Sequence, residues 1–155
     1  MQNILIPIDF SDVTDAAIRT AEELAWGLGA DIYVLHALTP EPAFVGWGVG
    51  PTYTRDDERK ERARLLDELV KRISTDEFNV SPLLVEGPTI DAILDAIDKN
   101  NIDLVVMGSH GHGALFDLLV GSACEAVIRK AKCPVVVVPT LRQTKKTNEP
   151  EVTPY

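Results

Sequence analysis

The chain contains 155 residues, of which 45% are hydrophobic and 25% are charged, and its formal net charge at pH 7 is −9. This length and composition predict a single globular domain with its own core, and they exclude a chain that is disordered throughout. A protein that neutralises phosphate backbones needs a face rich in Lys and Arg, so the acidic balance argues against nucleic acid and anionic membrane surfaces as partners.

Five short apolar runs alternate along the chain with segments of helical periodicity. In the first helical segment, Ser11 is the predicted N-cap, Gly29 is the predicted stop, and Leu28 belongs to the apolar face. The predicted strands cover residues 4–8, 31–38, 79–87, 103–107 and 134–139. The other predicted helices cover about residues 55–73, a segment that begins at residues 88 and 89, and about residues 122–131, and a long loop is predicted over residues 39–53.

Strands that are apolar almost throughout and alternate with helices predict a parallel sheet covered on both faces. Five such units predict a doubly wound α/β domain over residues 1–140, followed by a polar, disordered tail over residues 141–155. In this architecture ligands bind outside the carboxyl ends of the strands, where the strand order reverses. If the first and fourth strands are neighbours at that point, Asp9 and Gly108 face one crevice.

The segment GSHGHGALFDLLVGS directly follows the fourth apolar run. Gly108, Gly111 and Gly113 allow positive φ and close backbone approach, so successive N–H groups there can form an anion nest. Gly121 and Ser122 stand where the next helix begins, and a helix N-terminus adds N–H groups and about half a positive charge. Together these features predict a phosphate cradle. A plain turn followed by a Ser N-cap explains the same residues and stays open as an alternative.

The spacing Gly-x-x-Gly, nine residues, Gly-[Ser/Thr] in this segment resembles the nucleotide-binding motif of the universal stress protein family. The resemblance covers nearly the whole chain, through ILIPIDFSD, DLVVMGSHGHG and VGSACEAVIRKAKCPVVVVP. It implies a flavodoxin-like, Rossmann-like sheet of five parallel strands in the order 3-2-1-4-5. For members that carry the motif, the resemblance also implies ATP binding.

The resemblance implies nucleotide contacts at positions of this chain that match the motif. Asp9 would accept from a ribose or adenine donor, Val34 near the end of the second strand would pack near the adenine, and the phosphates would be held mostly by backbone N–H groups. A thiol at Cys124 is a poorer donor than the hydroxyl that many members carry there. The implied contacts are Pro7, Ile8, Asp9 and Val34 for the adenosine, Met107, Gly108, His110 and Gly111 for the ribose and phosphates, and Gly121, Ser122, Ala123 and Cys124 for the phosphates.

The predicted function is an ATP-binding stress-response protein whose nucleotide changes its dimer or partner contacts. No Walker motif occurs, and the segment from Gly108 to Cys124 contains no Lys or Arg, so backbone dipoles and a divalent cation, Mg²⁺ or Mn²⁺, would meet the triphosphate charge. These features favour holding ATP over turning it over, with at most slow hydrolysis. One alternative is a nucleotide-independent homodimeric interaction protein in which the glycines are only structural. A flavin electron carrier is disfavoured because DFSDVTDAA contains no glycine.

The apolar run from Pro134 to Pro139 is predicted to lie at an edge of the sheet, and an exposed apolar edge needs a cover. Antiparallel pairing with the same strand of a second chain is the simplest cover, and the family resemblance also implies a homodimer. Cover by the polar tail stays open as an alternative.

The remaining features predict a cytoplasmic protein. The amino terminus lacks the basic segment of a signal peptide, and no run of ~18 apolar residues predicts a membrane span. Cys124 and Cys133 flank one predicted helix, which places them too far apart for a disulfide. His110 and His112 lack a third ligand of suitable spacing, so no metal site is expected. His36 is expected to lie in the core or directly behind the residues of the site.

Overall fold

A computed structural model describes residues 3–39, 54–109 and 121–139. The loop predicted over residues 39–53, most of the glycine-containing segment and the predicted tail therefore lie largely or wholly outside the described residues. Within these ranges five strands alternate with four helices. The elements are β1 (Asn3–Ile8), α1 (Thr14–Leu28), β2 (Asp31–Leu38), α2 (Arg55–Ile73), β3 (Val80–Glu86), α3 (Thr89–Lys99), β4 (Leu104–Gly108), α4 (Ser122–Lys130) and β5 (Val135–Val138).

The five strands form one parallel sheet in the order β3-β2-β1-β4-β5. In its register, Ile6 lies opposite Val34, and Val106 lies opposite Val136. The strand order reverses at β1, because β2 pairs with one of its edges and β4 pairs with the other. The predicted fold class and strand order are thus confirmed.

Helices cover both faces of this sheet because successive strand residues point to opposite sides. Ile4 and Ile6 of β1 pack with α1 and α2, in a core that also contains Ala21 of α1 and Leu66 of α2. Leu5, between them in the sequence, packs in a second core with residues of α3 and α4. We call these the α1/α2 face and the α3/α4 face. The two cores explain why the strands are apolar almost throughout.

Helix α1 differs from the prediction at both ends. Its N-cap is Val13, which provides no side-chain hydrogen bond, so the prediction of a Ser11 cap is wrong. Ser11 lies in the preceding turn, where its carbonyl accepts from the Thr14 N–H at 3.0 Å. The prediction that Leu28 faces the core is also wrong, because this residue is 45% exposed in the last turn. Gly29 ends the helix as predicted, with a left-handed φ of 61°.

Helix α2 begins with a capping box that the periodicity did not reveal. The Thr54 hydroxyl accepts from the Asp57 N–H at 3.2 Å, and the Asp57 carboxylate accepts from the Thr54 N–H at 3.0 Å. These bonds satisfy donors that a helix start otherwise leaves without an acceptor, which is why the helix begins at Arg55. The helix is 19 residues long and highly charged. Within the part of the chain that the structure describes, none of the helices is long and apolar enough to cross a bilayer.

Candidate functional site at the carboxyl edge of the sheet

The candidate site lies where β1 and β4 end side by side. Their parallel pairing brings the carboxyl ends of both strands to one edge of the sheet, and α1 and α4 follow them. Ligands of doubly wound sheets bind at such a point, because the connections diverge to opposite faces and leave a crevice. The structure therefore brings Asp9, after β1, to the same edge as Gly108, at the end of β4.

A backbone hydrogen bond joins the two Gly-Ser pairs of the glycine-containing segment. The Gly121 N–H donates to the Ser109 carbonyl at 2.7 Å, and the Ser109 N–H donates to the Val138 carbonyl of β5 at 2.8 Å. Ser109 is buried. The residue that follows β4 and the residue that precedes α4 are therefore in direct contact at this edge.

The first turn of α4 faces this edge with backbone donors. Its N-cap is Gly121, in an extended conformation with φ −69° and ψ 155°, and no side chain caps the helix. The amides of the first turn of any helix lack an intrahelical acceptor and carry about half a positive charge together. The amides of Ser122, Ala123 and Cys124 occupy this turn. Such an arrangement suits an anionic group without a nearby cationic side chain.

Gly108 has a structural reason to be glycine. A Cβ atom placed there would lie 2.4 Å from Val13 Cγ1 and 2.8 Å from Val13 Cγ2, far inside normal contact distance. The glycines with positive φ among the described residues are Gly29 and Gly87, so of the two properties that glycine allows, Gly108 uses close approach and not a positive φ. This glycine allows the start of α1 to approach the end of β4.

The segment that follows β1 forms a tight corner around Asp9. One carboxylate oxygen of Asp9 accepts from the Ser11 N–H at 3.0 Å, which is a local Asx turn. Phe10 has a left-handed φ of 59°, uncommon for a residue other than glycine. The carboxylate is therefore oriented by its own backbone.

His36 of β2 supports this corner from the neighbouring strand, and its predicted burial is confirmed at 8% exposure. Its Nδ1 lies 3.0 Å from the Ile8 carbonyl. Since a carbonyl oxygen only accepts, Nδ1 carries the hydrogen of this bond. Burial lowers the pKa of His36 below its ordinary value of 6.5 and nearby Arg62 lowers it further, although the bond to Ile8 and the charges of Asp9 and Glu58 oppose the shift.

Val34 does not lie where the sequence placed it. It is in the middle of β2 rather than near its end, and it is completely buried in the core of the α1/α2 face. Ala37 lies close to the carboxyl end of β2 and is half-buried on the α3/α4 face, the face of α4. Side chains alternate between the two faces of a strand. Ala37, two residues after Leu35, could therefore have been assigned to the α3/α4 face from the sequence.

Cys124 contributes its backbone rather than its thiol to this edge. The residue is 2% exposed and packs in the core of the α3/α4 face with Val127 and Met107. Burial raises the pKa of the Cys124 thiol, so the side chain is a neutral core group. The weakness expected of the thiol as a phosphate donor therefore has little effect on the candidate site, because the backbone N–H is the group that Cys124 contributes. Both cysteines are free, as the spacing predicted.

The other predicted site residues differ in the face of the sheet on which they lie and in their exposure. Pro7 follows the alternation of Leu5 toward the α3/α4 face, whereas the Ile8 side chain is buried in the core of the opposite face. Ser122 is exposed. His110 and Gly111 lie outside the described residues.

These features define a class of protein: a doubly wound α/β domain whose switch point combines a carboxylate after β1 with backbone donors at the start of α4. The model of the universal stress protein family matches residues 1–139. This match covers most of the chain, which therefore belongs to the universal stress protein family.

Relatives agree with this assignment. A universal stress protein of Thermus aquaticus is 33% identical over 138 residues, which is 88% of this chain and 98% of the relative. The solved structure of a universal stress protein from Lactobacillus plantarum has a TM-score of 0.74 at 24% identity, covering 88% of this chain and 97% of that chain. The structure of a universal stress protein from Archaeoglobus fulgidus in complex with dAMP has a TM-score of 0.65 at 25% identity, with coverage of 88% and 97%.

Proposed function

We propose that this chain binds an adenine nucleotide, ATP together with Mg²⁺ or Mn²⁺, and acts as a nucleotide-dependent regulatory module of the stress response. The observation that carries the proposal is the 2.7 Å bond from Gly121 to Ser109, which holds the amino end of α4 beside the ends of β1 and β4. The dAMP complex of the Archaeoglobus fulgidus relative supports an adenine nucleotide as the ligand class.

The proposed contacts follow the two strand ends and the start of α4. Asp9 is the proposed acceptor for a ribose or adenine donor, and Ala37 replaces Val34 beside the base because it lies nearer the edge on the face of α4. The proposed site consists of Pro7, Ile8, Asp9, Ala37, Met107, Gly108, His110, Gly111, Gly121, Ser122, Ala123 and Cys124.

We propose binding rather than rapid turnover of ATP. Phosphoryl transfer needs positioned charge that stabilises the transition state. The sequence from Gly108 to Cys124 has no Lys or Arg, and Arg129 and Lys130 stand in the last turn of α4. A helix of nine residues separates them from the first turn by roughly 10 Å. Backbone dipoles and a divalent cation suffice to hold the phosphates, so hydrolysis would be slow at most.

Calorimetric titration of ATP with Mg²⁺ into the purified protein tests this proposal, with Gly121→Val as the matched variant. The φ and ψ of Gly121 are values that valine also adopts, and its N–H bond to Ser109 survives the substitution. We expect micromolar binding by the wild type and a loss of at least tenfold in the variant, because the side chain obstructs the amides of α4.

A nucleotide-independent interaction protein is the second candidate, and the contact between Gly108 and Val13 favours it, since packing alone accounts for that glycine. This candidate predicts no ATP affinity in nucleotide-free wild-type protein. Equal affinity in wild type and a folded Gly121→Val variant would place the nucleotide away from α4 and contradict the proposed site.

We further propose that β5 mediates a homodimer by antiparallel pairing. β5 is an edge strand, and the carbonyls of Pro134 and Val138 accept from Val105 of β4 and from Ser109 just after it. By alternation, the backbone groups of Val135 and Val137 therefore point outward. The other edge strand, β3, carries Pro82, which offers no N–H for pairing. The outer edge of β5 is thus the better template for a second chain.

A further inference from the structure

The corner after β1 holds an unfavourable conformation that its neighbours must stabilise. Phe10 adopts a left-handed φ of 59°, which costs a non-glycine residue free energy and persists where the surroundings fix it. Its position between Asp9 and the Ser11 amide means that this φ determines where the Asx turn points.

Two side chains enclose the Phe10 ring. The imidazole of His36 lies 4.8 Å from it between centroids, with the planes tilted by 57°. The guanidinium carbon of Arg62, on α2, lies 5.7 Å from the ring centroid, within the range of a cation–π contact. His36 also donates through Nδ1 to the Ile8 carbonyl at 3.0 Å. We call His36, Phe10 and Arg62 the corner clamp.

The clamp and the proposed ligand occupy opposite faces of the sheet. Phe10 packs against the core of the α1/α2 face, and Arg62 belongs to α2. The amino end of α4 belongs to the α3/α4 face, where Cys124 packs. Asp9 connects the two sides, because its neighbours in the chain, Ile8 and Phe10, are the residues that His36 contacts. The clamp can therefore act on a ligand only through the backbone of this corner.

We infer that the corner clamp positions the Asp9 carboxylate for nucleotide binding, with His36 as the positioning residue; this inference rests on the proposed function. His36 holds the Ile8 carbonyl and one side of the Phe10 ring, so it fixes the backbone on both sides of Asp9. The clamp preorganises the site, so binding does not have to order the corner.

Calorimetric ATP titration with Mg²⁺ on two variants of His36 tests this role. Asn places an amide nitrogen at the same number of bonds from Cα as His Nδ1, so His36→Asn keeps the donor to Ile8. His36→Leu removes the donor while preserving apolar bulk. We expect His36→Leu to weaken ATP binding roughly fivefold, the effect of one lost hydrogen bond, and His36→Asn to restore affinity to within about twofold of wild type.

Hydrogen exchange of the Ser11 amide, measured without nucleotide, reports on the corner directly because this amide donates to Asp9. We expect faster exchange in His36→Leu than in wild type and in His36→Asn. If His36→Leu does not fold, Arg62→Gln replaces it in both measurements. Arg64→Gln is its matched control, since Arg64 lies on the same helix and pairs with Glu61 and Glu68. A two- to threefold loss of affinity is expected for Arg62→Gln only.

The outcomes separate this inference from the proposed function. Wild-type protein that fails to bind ATP overturns the proposed function and the positioning role with it. Wild-type binding that folded His36→Leu or Arg62→Gln matches in affinity, with unchanged Ser11 exchange, overturns the positioning role alone. If His36→Asn weakens ATP binding as much as His36→Leu does, the positioning role is also overturned, because a donor to the Ile8 carbonyl would then not restore affinity.

Discussion

At the scale of single residues, two glycines at this edge have different structural roles. Gly108 is required by the side chain of Val13, whereas Gly121 has an ordinary extended conformation and leaves the start of α4 without a side-chain cap. Their shared membership of one spacing motif conceals this difference. A substitution at Gly121 is therefore the cleaner probe of a ligand, and a substitution at Gly108 is a probe of packing.

Protonation of His36 should destabilise the fold. Burial, the largest cause, lowers the pKa of His36 below 6.5, so the unfolded chain binds this proton at higher pH than the native state does. Stability linked to His36 is therefore retained above about pH 6.5 and lost as the pH falls from there toward the native pKa. We expect urea unfolding of wild type and His36→Asn to diverge in pH dependence below about pH 6.5. Parallel profiles would contradict the shift.

The two thiols should react at different rates. Cys124 is 2% exposed, whereas Cys133 is half-buried, and burial raises the pKa of both thiols. Because the thiolate is the reactive form, we expect slow labelling by a thiol reagent at neutral pH, with Cys133 at least tenfold faster than Cys124. Mass spectrometry of Cys124→Ala and Cys133→Ala assigns each rate. Faster labelling of Cys124 would mean that the first turn of α4 opens in solution.

At the scale of elements, the close packing of α1 against β4 depends on the sizes of the two residues at their contact. Val13, the N-cap of α1, is 7% exposed, and its methyl groups occupy the space that a side chain at position 108 would need. The close approach brings the corner after β1 next to the end of β4. The geometry of the candidate site therefore depends on a small residue in one element and a branched residue in the other.

Gly108→Ala should destabilise the protein by about 1–3 kcal/mol, because a new methyl group in a filled space forces its neighbours to shift. Val13→Ala removes the methyl groups that the new Cβ would meet, so the double variant should be more stable than the sum of the single effects predicts. Urea unfolding of the four proteins measures this coupling. Additive effects would show that the clash is relieved elsewhere.

At the scale of the whole molecule, the two edges of the sheet are unequal. Pro82 interrupts the donors of β3, while the described part of β5 is a run of four valines. An edge of this kind is prone to pairing with another chain. The strand order that places β1 and β4 at the switch point also leaves β5 at the border, where the proposed dimer would form.

Val137→Pro should convert the proposed dimer to a monomer. The substitution removes an N–H that by alternation points away from β4, so the bonds from Val105 and Ser109 to the carbonyls of Pro134 and Val138 remain. Sedimentation velocity over a range of concentrations compares the variant with wild type, and circular dichroism confirms that it is folded. A wild-type monomer, or a folded variant that stays dimeric, would contradict pairing through β5.

Much of the architecture was predictable because hydrophobic periodicity and turn residues act locally. The apolar runs identified all five strands, Gly29 correctly marked the end of α1, and the resemblance supplied the strand order. The errors fall where local rules compete. Ser11 is a good capping residue, but it lies in a turn in which its N–H donates to Asp9 and its carbonyl accepts from Thr14, and the helix begins later, at Thr14.

By itself, the sequence determined the fold class, the family and the segment in which to look for a ligand, since these depend on residue order and spacing. Only the tertiary structure decided which side chains reach the edge. It buried Val34, brought Ala37 to the face of α4, turned the Cys124 thiol inward and placed Val13 against Gly108. These outcomes depend on the face and register of each strand and on contacts between elements far apart in the chain, which no local pattern encodes.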